Sequence, residues 1–486
     1  MKNKFNGSGI EAFIPRIFLL VLCIFIFFPV NTVWSHEEDI VLFDGEFDED
    51  PDEVQVNELE LIISEIAEAV VRRDYASALD LFDNMPGQYA ENTEIRIIHA
   101  SILNAAGRSA DARQIANSIL AADSRNTEAL MILADAAALE SRDRDRRTFL
   151  DRIISINPNH TRALNDLANI NLGNQNLRIA ANYFDRALAT DPNNGDALVG
   201  RASVYRYDRD PRNAERLLNH AIFIYPNWAG PLQERGRLYR GAGFYNDALE
   251  DFEDALKLEP DNYWILVDYG QTLMDIGLRE ESLEVFERAI SIAPDIFMAY
   301  AYSSAIKDEL GDYTGAERDY ITLGRLKPDY YYAFEAIGVI RMRNKQWAGA
   351  RDAFLEAYRH APREYSYALL AAVNWMRAGR PADPRQFLAQ VMRTVPRDSP
   401  DFAMLRLYHD LNGDLDVINL INSERNIYNK TRMLFYLANY YDIRGFDTMA
   451  NRYYLMAQEN DAIGLLEWRI NEIIMDERGI GLRNAR

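Results

Sequence analysis

Residues 229–262 read AGPLQERGRLYRGAGFYNDALEDFEDALKLEPDN, and the fold follows from how this stretch is punctuated. Leu232, Gly236 and Tyr239 share one face at helical spacing, and Tyr245, Ala248, Phe252 and Ala255 share another. Between them stands Gly243, a residue that accepts the left-handed backbone which often ends a helix. Pro260 then stops the second pattern, because proline cannot continue a helix and disfavours helical geometry in the residue before it. The stretch is therefore a pair of short amphipathic helices joined by a tight turn.

The same punctuation recurs through the chain. Prolines stand at 158, 192, 226, 260, 294, 328, 362 and 396, each 34 residues after the last. Ala180, Ala214, Ala248, Ala316 and Ala350 keep the period, as do Ala78 and Ala112 earlier. So do Phe184, Phe252, Phe286 and Phe354, then Ala187, Ala221, Ala255, Ala289 and Ala357. Gly107, Gly243, Gly277, Gly311 and Gly379 form the turn column. The small columns, including Gly236, Gly270 and Gly338, let two helices approach closely, and the Phe column fills the space between one pair and the next. One such pair cannot bury its own apolar face, so the pairs must stack.

This pattern resembles the tetratricopeptide repeat family. Leu232, Gly236, Tyr239, Gly243, Tyr245, Ala248, Phe252, Ala255 and Pro260 carry the resemblance, which covers about residues 59–398 and resumes at 431–464 with Tyr441, Gly445, Ala450, Tyr454 and Ala457. The last unit is two residues out of phase. The resemblance implies an all-α, right-handed superhelical solenoid of about twelve antiparallel helix pairs. The expected organisation is a ten-unit array over 58–398, an irregular pair plus one unit over 399–464, and a C-terminal capping helix and tail over 465–486. Arg146 and Pro384 stand where the family wants a small residue, and Pro384 is acceptable if Asp383 caps a helix that begins there.

The N-terminus differs in kind. Lys2, Lys4 and Arg16 precede an apolar run from Ile17 to Val30, and Val33 and Ser35 are small residues before a cleavage point. These are marks of a secretory signal over residues 1–35. The apolar core of 14 residues is short for a membrane span, which needs about 20. Retention of residues 17–30 as an inner-membrane anchor and lipidation at Cys23 are the alternatives, the latter opposed by Leu22. Cleavage would leave no cysteine, hence no disulfide or thiolate metal site. Residues 36–57 carry ten acids between Glu37 and Glu53 with no Lys or Arg, the composition of a disordered acidic linker.

The formal net charge is −22 and becomes −24 without residues 1–35. Such a surface repels phosphates and anionic lipid, which excludes nucleic acid and membrane docking except through an uncleaved N-terminal segment. No two of the six histidines are within five residues of each other, and no phosphate loop, HExxH or GxSxG motif occurs. Repeats occupy nearly everything after residue 58, leaving no segment for a catalytic domain. The expectation is no enzyme, no cofactor and no metal.

The family's first helices line a concave groove, and positions 2, 5, 9, 12 and 13 of each unit project into it; this is carried by the resemblance. In those columns lie Arg206, Tyr207, Arg237 and Arg240, a set suited to an acidic peptide or a terminal carboxylate, or else paired with neighbouring acids such as Glu234. Trp264, Tyr302 and Tyr332 form an aromatic set that serves as anchors or as filling between units. Asn165 and Asn169 begin a carboxylate clamp of chaperone-binding members, but Gly200, Gly230 and Glu234 break it. The functional expectation is a scaffold of a bacterial periplasm or envelope, binding a partner polypeptide in the groove. The alternative is a membrane-anchored assembly factor for secretion, outer-membrane or polysaccharide export machinery, and self-association is a third route.

Overall fold

The computed structural model describes residues 58–379 and 384–480. The signal (1–35) and the acidic linker (36–57) lie outside the described residues, as do Asp383 and the last six residues. Among the described residues every element is an α-helix, and successive helices pack as antiparallel pairs. In the quoted stretch the pair is Ala229–Ala242 and Tyr245–Leu258. The preceding pair is Gly195–Tyr207 and Pro211–Ile224.

The turn column is a backbone requirement. Gly107, Gly243, Gly277, Gly311 and Gly379 all have positive φ, between 75° and 87°. The surprise is that the column keeps this geometry without glycine. Arg73, Ser141, Gln175, Arg209 and Lys345, on the same 34-residue period, have φ of 56° to 60°. A side chain there crowds the following carbonyl. The hairpin geometry, set by packing on both sides, overrides the local preference.

A second column, not read from the sequence, starts the first helices. Asn92, Asn126, Asn194 and Asn262 each accept backbone N–H bonds through their side chains at the N-cap. His160 takes the same place, with Nδ1 accepting from the Ala163 amide at 3.3 Å. These caps satisfy amides that the first turn leaves without partners.

The Phe and Gly columns interlock. A Cβ at Gly236 would stand 2.7 Å from the Phe252 ring within the same pair, and one at Gly338 would stand 2.6 Å from Phe354. Gly200 is pressed by Phe184 of the preceding pair. The rings therefore fill space within pairs as well as between them. Phe184, Phe252, Phe286 and Phe354 have no exposed surface.

The chain divides into two compact units, Met1–Gly277 and Leu278–Arg486. The first is regular after its opening pair, in which the second helix is only Tyr75–Asp83 and a short helix, Gly87–Ala90, follows it. In its 127–160 pair, Arg146, which replaces a small residue, is turned to account by an ion pair to Asp166 at 3.2 Å. The second unit keeps the repeat to Tyr365–Arg377, then departs from it. Pro384 does begin a helix, Pro384–Val391. Two short helices follow, Pro400–Asp410 and Asp414–Ser423. Then come Ile427–Ile443, which starts four residues before the expected unit, Asp447–Gln458 and Leu466–Arg478. Tyrosines fill this irregular region. Tyr408, Tyr436, Tyr440 and Tyr454 are fully buried, and the Tyr408 hydroxyl donates to the Tyr436 carbonyl at 2.7 Å.

Because Gln175 is exposed and pays for a left-handed backbone, Gln175→Gly is expected to stabilise the first unit by about 0.5–1 kcal/mol, the strain relieved less the extra freedom of the unfolded glycine. Gly236→Val, which drives a side chain into Phe252, is expected to lower stability by about 1–3 kcal/mol. Thermal unfolding followed by circular dichroism checks both.

Candidate groove residues

Arg206 and Tyr207 end the helix Gly195–Tyr207, Arg237 and Arg240 lie on Ala229–Ala242, and Trp264 opens Tyr263–Asp275. These belong to the first unit, whereas Tyr302 and Tyr332 belong to the second, so the seven residues fall into two sets.

In the first unit the three arginines are tied to three acids, Glu234, Asp268 and Asp275. Glu234 is buried and accepts from Ser203 Oγ at 2.8 Å and from Arg206 Nε at 2.7 Å. Arg237 approaches the same carboxylate at 3.4 Å and donates to Asp268 Oδ2 at 2.7 Å. Arg240 donates to Gln271 Oε1 at 2.5 Å and lies 3.9 Å from Asp275. Gln233 Nε2 adds a bond to Asp268 at 2.7 Å. The pairing with Glu234 that composition suggested is thus present. Asp268, Ser203 and Gln271 were not read from the sequence, although each recurs near the same point of the period as its partner on the neighbouring first helix.

The arginines retain 26%, 34% and 25% of their side-chain surface, so the network is open to solvent from one side. The Arg206 guanidinium also lies over the Tyr207 ring at 4.6 Å, and that ring is exposed. Trp264 is exposed and meets Tyr263 edge-on at 5.0 Å.

Other groove columns of the first unit hold charge in the same manner. Arg162 donates through Nη2 to both oxygens of Asp135 at 2.9 Å. A third of the Asp135 side chain meets water (33%), yet the helices around it are close enough that burial pushes its carboxyl up to about 6, against the pull of Arg162. Asn165 donates to the cap residue Asn194 at 2.8 Å, so it serves the neighbouring turn.

In the second unit Tyr302 stacks on Phe286, with centroids 4.9 Å apart and planes at 13°. It fills space next to the Phe column. Tyr332 is exposed and lies 4.3 Å from the Tyr331 ring and 5.8 Å from Tyr330. Tyr331 also meets the buried Tyr367 edge-on at 6.1 Å.

Three further histidines among the described residues have structural surroundings. His99 stacks on Phe82 at 4.6 Å, and burial lowers its pKa. His360 stacks on Phe334 at 5.9 Å, and His409 Nδ1 lies 2.6 Å from Asp410. Among the described residues no cluster of three or more His, Cys, Asp or Glu is placed to hold a metal ion, and no helix is long and apolar enough to cross a membrane.

Three segments match models of the tetratricopeptide repeat: 239–302 to one, and 165–227 and 307–368 to another. Among solved structures, a tetratricopeptide repeat protein from Parabacteroides merdae is 18% identical, covers 51% of this chain and 98% of its own, with a TM-score of 0.42. PilW, described as a widely conserved type IV pilus biogenesis factor, is 18% identical, covers 43% and 97%, with a TM-score of 0.39. MamA is 21% identical, covers 34% and 97%, with a TM-score of 0.32. No curated protein matches the sequence.

Glu234→Ala is expected to destabilise the first unit by about 1–2 kcal/mol, less than the 3–5 kcal/mol of a fully buried pair because the arginines keep contact with water; a denaturant titration measures it. The Asp135 carboxyl should titrate near 6 by NMR. Since this folded value lies above the ordinary one, protonation favours the folded state. The first unit should therefore gain stability as the pH falls from about 6 toward 4, and Asp135→Asn should remove that gain.

Proposed function

We propose that this chain, which carries tetratricopeptide repeats, is a protein-interaction scaffold that binds a partner polypeptide along the inner columns of its first unit, in a bacterial periplasm or envelope. The observation that carries this reading is the band on three successive first helices. Arg206 and Tyr207, then Arg237 and Arg240, then Trp264 occupy the columns that the family resemblance assigns to the groove, and the two aromatics there are exposed. Exposed aromatics beside partly solvated guanidiniums are the side chains that most often anchor a bound chain.

The arginines are prealigned by Glu234 and Asp268. A partner carboxylate would add to the open side of this network, sharing the guanidiniums with those acids, which favours acidic or C-terminal groups. The chain's own charge of −22 sets the counterweight: acidic partners approach against a repulsive field, so a local cationic band selects position as well as sign.

Export rests on the pattern in residues 1–35, with removal of that segment giving a periplasmic scaffold. Retention of residues 17–30 would instead give a membrane-anchored assembly factor. Mass spectrometry of the N-terminus of the cell-derived protein separates the two.

The binding reading is tested with Tyr207→Ala combined with Trp264→Ala, since both rings are exposed and their removal leaves the fold in place. A partner captured from envelope extract by residues 36–486 should bind this variant at least tenfold more weakly, at unchanged thermal stability. Equal binding overturns the first-unit site. Concentration-dependent light scattering with no captured partner would replace it with self-association.

A further inference from the structure

The C-terminal helix Leu466–Arg478 does more than close the last pair. Arg469 Nη2 reaches Asp308 Oδ2 at 2.6 Å, 161 residues back in the chain, and Arg478 pairs with Asp442. Glu467 accepts from the Tyr436 hydroxyl at 2.9 Å and lies 3.5 Å from Arg432. Asp308, Asp442 and Arg432 all fall on repeat positions 12 or 2 of first helices, the columns expected to face the groove. Val339, Met342 and Arg343, at positions 9, 12 and 13 of another first helix, line a cavity of about 380 Å³ together with Ile473 and Ile474. The helix thus runs along the inner face of the second unit, where the family fold would receive a foreign chain.

We propose that Leu466–Arg478 is a displaceable occupant of this inner face, and that the site takes a partner's amphipathic helix with arginines at its ends and isoleucines between them. The inference rests on the reading of the groove columns as the binding surface. The Arg469–Asp308 contact is ionic and half-open, with 49% of the Arg469 side chain exposed, whereas Arg478 keeps 24% and Glu467 is fully buried. The helix is also loosely seated on one side, where a second, largely polar cavity of about 210 Å³ flanks it between Asp308, Arg343 and Glu472. Firm anchoring is confined to Glu467, Ile470, Asn471 and Met475, which are buried. Gly464 stands just before the helix with φ of 95°, a backbone that glycine adopts without strain. Terminal elements with few buried apolar contacts open at the low end of a protein's stability range. A tethered occupant also acts at an effective concentration on the order of millimolar, so a free helix competes only when the tethered one is weakened.

The test uses the full chain. Hydrogen exchange should show the amides of 466–478 exchanging at least tenfold faster than those of 427–443, and faster still in high salt. In the Arg469→Glu, Arg478→Glu double variant, a fluorescein-labelled peptide of residues 465–480 should bind at least tenfold tighter than to the unaltered chain. Equal exchange of the two helices at every salt concentration, or equal peptide binding to both proteins, overturns the proposal. If the double variant loses protection in 427–443, it has misfolded and the exchange comparison in the unaltered chain decides. Neither readout needs a foreign partner, so failure of the first-unit scaffold reading leaves both interpretable.

Discussion

The structure depends on one recurring requirement, that the phenylalanine ring of a second helix meet a first helix at a residue with no side chain to obstruct it. Phe252 over Gly236 and Phe354 over Gly338 meet it within a pair, and Phe184 against Gly200 meets it between pairs. Each contact removes a large apolar surface from water and brings two backbones close, so the hairpin angle and the distance to the next hairpin are set together. Everything else in the repeat accommodates that approach. The turn must close in few residues, hence the left-handed position. The second helix must stop in time for the next hairpin, hence the proline. The first helix must start at once after it, hence the asparagine cap.

Much of this was legible in the sequence because it is periodic. Prolines at 34-residue spacing and the Ala, Phe and Gly columns specify helix pairs that stack, and the helices fall where those columns place them. What escaped notice has a common physical cause. Arg73, Ser141, Gln175, Arg209 and Lys345 carry no sign of a left-handed backbone, since that conformation is imposed by packing on either side of the turn. The Asn column at 92, 126, 194 and 262 puts a capping residue type immediately before each helical pattern, so it was readable in the sequence.

The groove residues show the limit more sharply. Position within the repeat located Arg206, Arg237 and Arg240 on neighbouring helices, yet their role depends on which acid each one meets. Glu234 stands between arginines of adjacent pairs and Asp268 holds the arginines of the pair before its own, so both join one pair to the next by charge as well as by apolar contact. Such bridging depends on side-chain reach over 28 or 31 residues of sequence. The Arg469–Asp308 pair, at a separation of 161, had no local signal at all. Aromatics divide in the same way: Tyr302 is spent on Phe286, while Tyr207 and Trp264 keep a free face.

The shared left-handed turn has a consequence for how such a chain can grow. Ten turns from Arg73 to Gly379 adopt one backbone geometry at one spacing, whatever residue occupies them. Any segment of one full period therefore begins and ends in the same conformation as its neighbours. A duplication or excision of 34 residues would rejoin like to like, leaving cap, turn and stop in phase. Length in this molecule is a copy number, open to change by recombination in whole steps, and the two-residue slip before the final unit marks where that freedom ends.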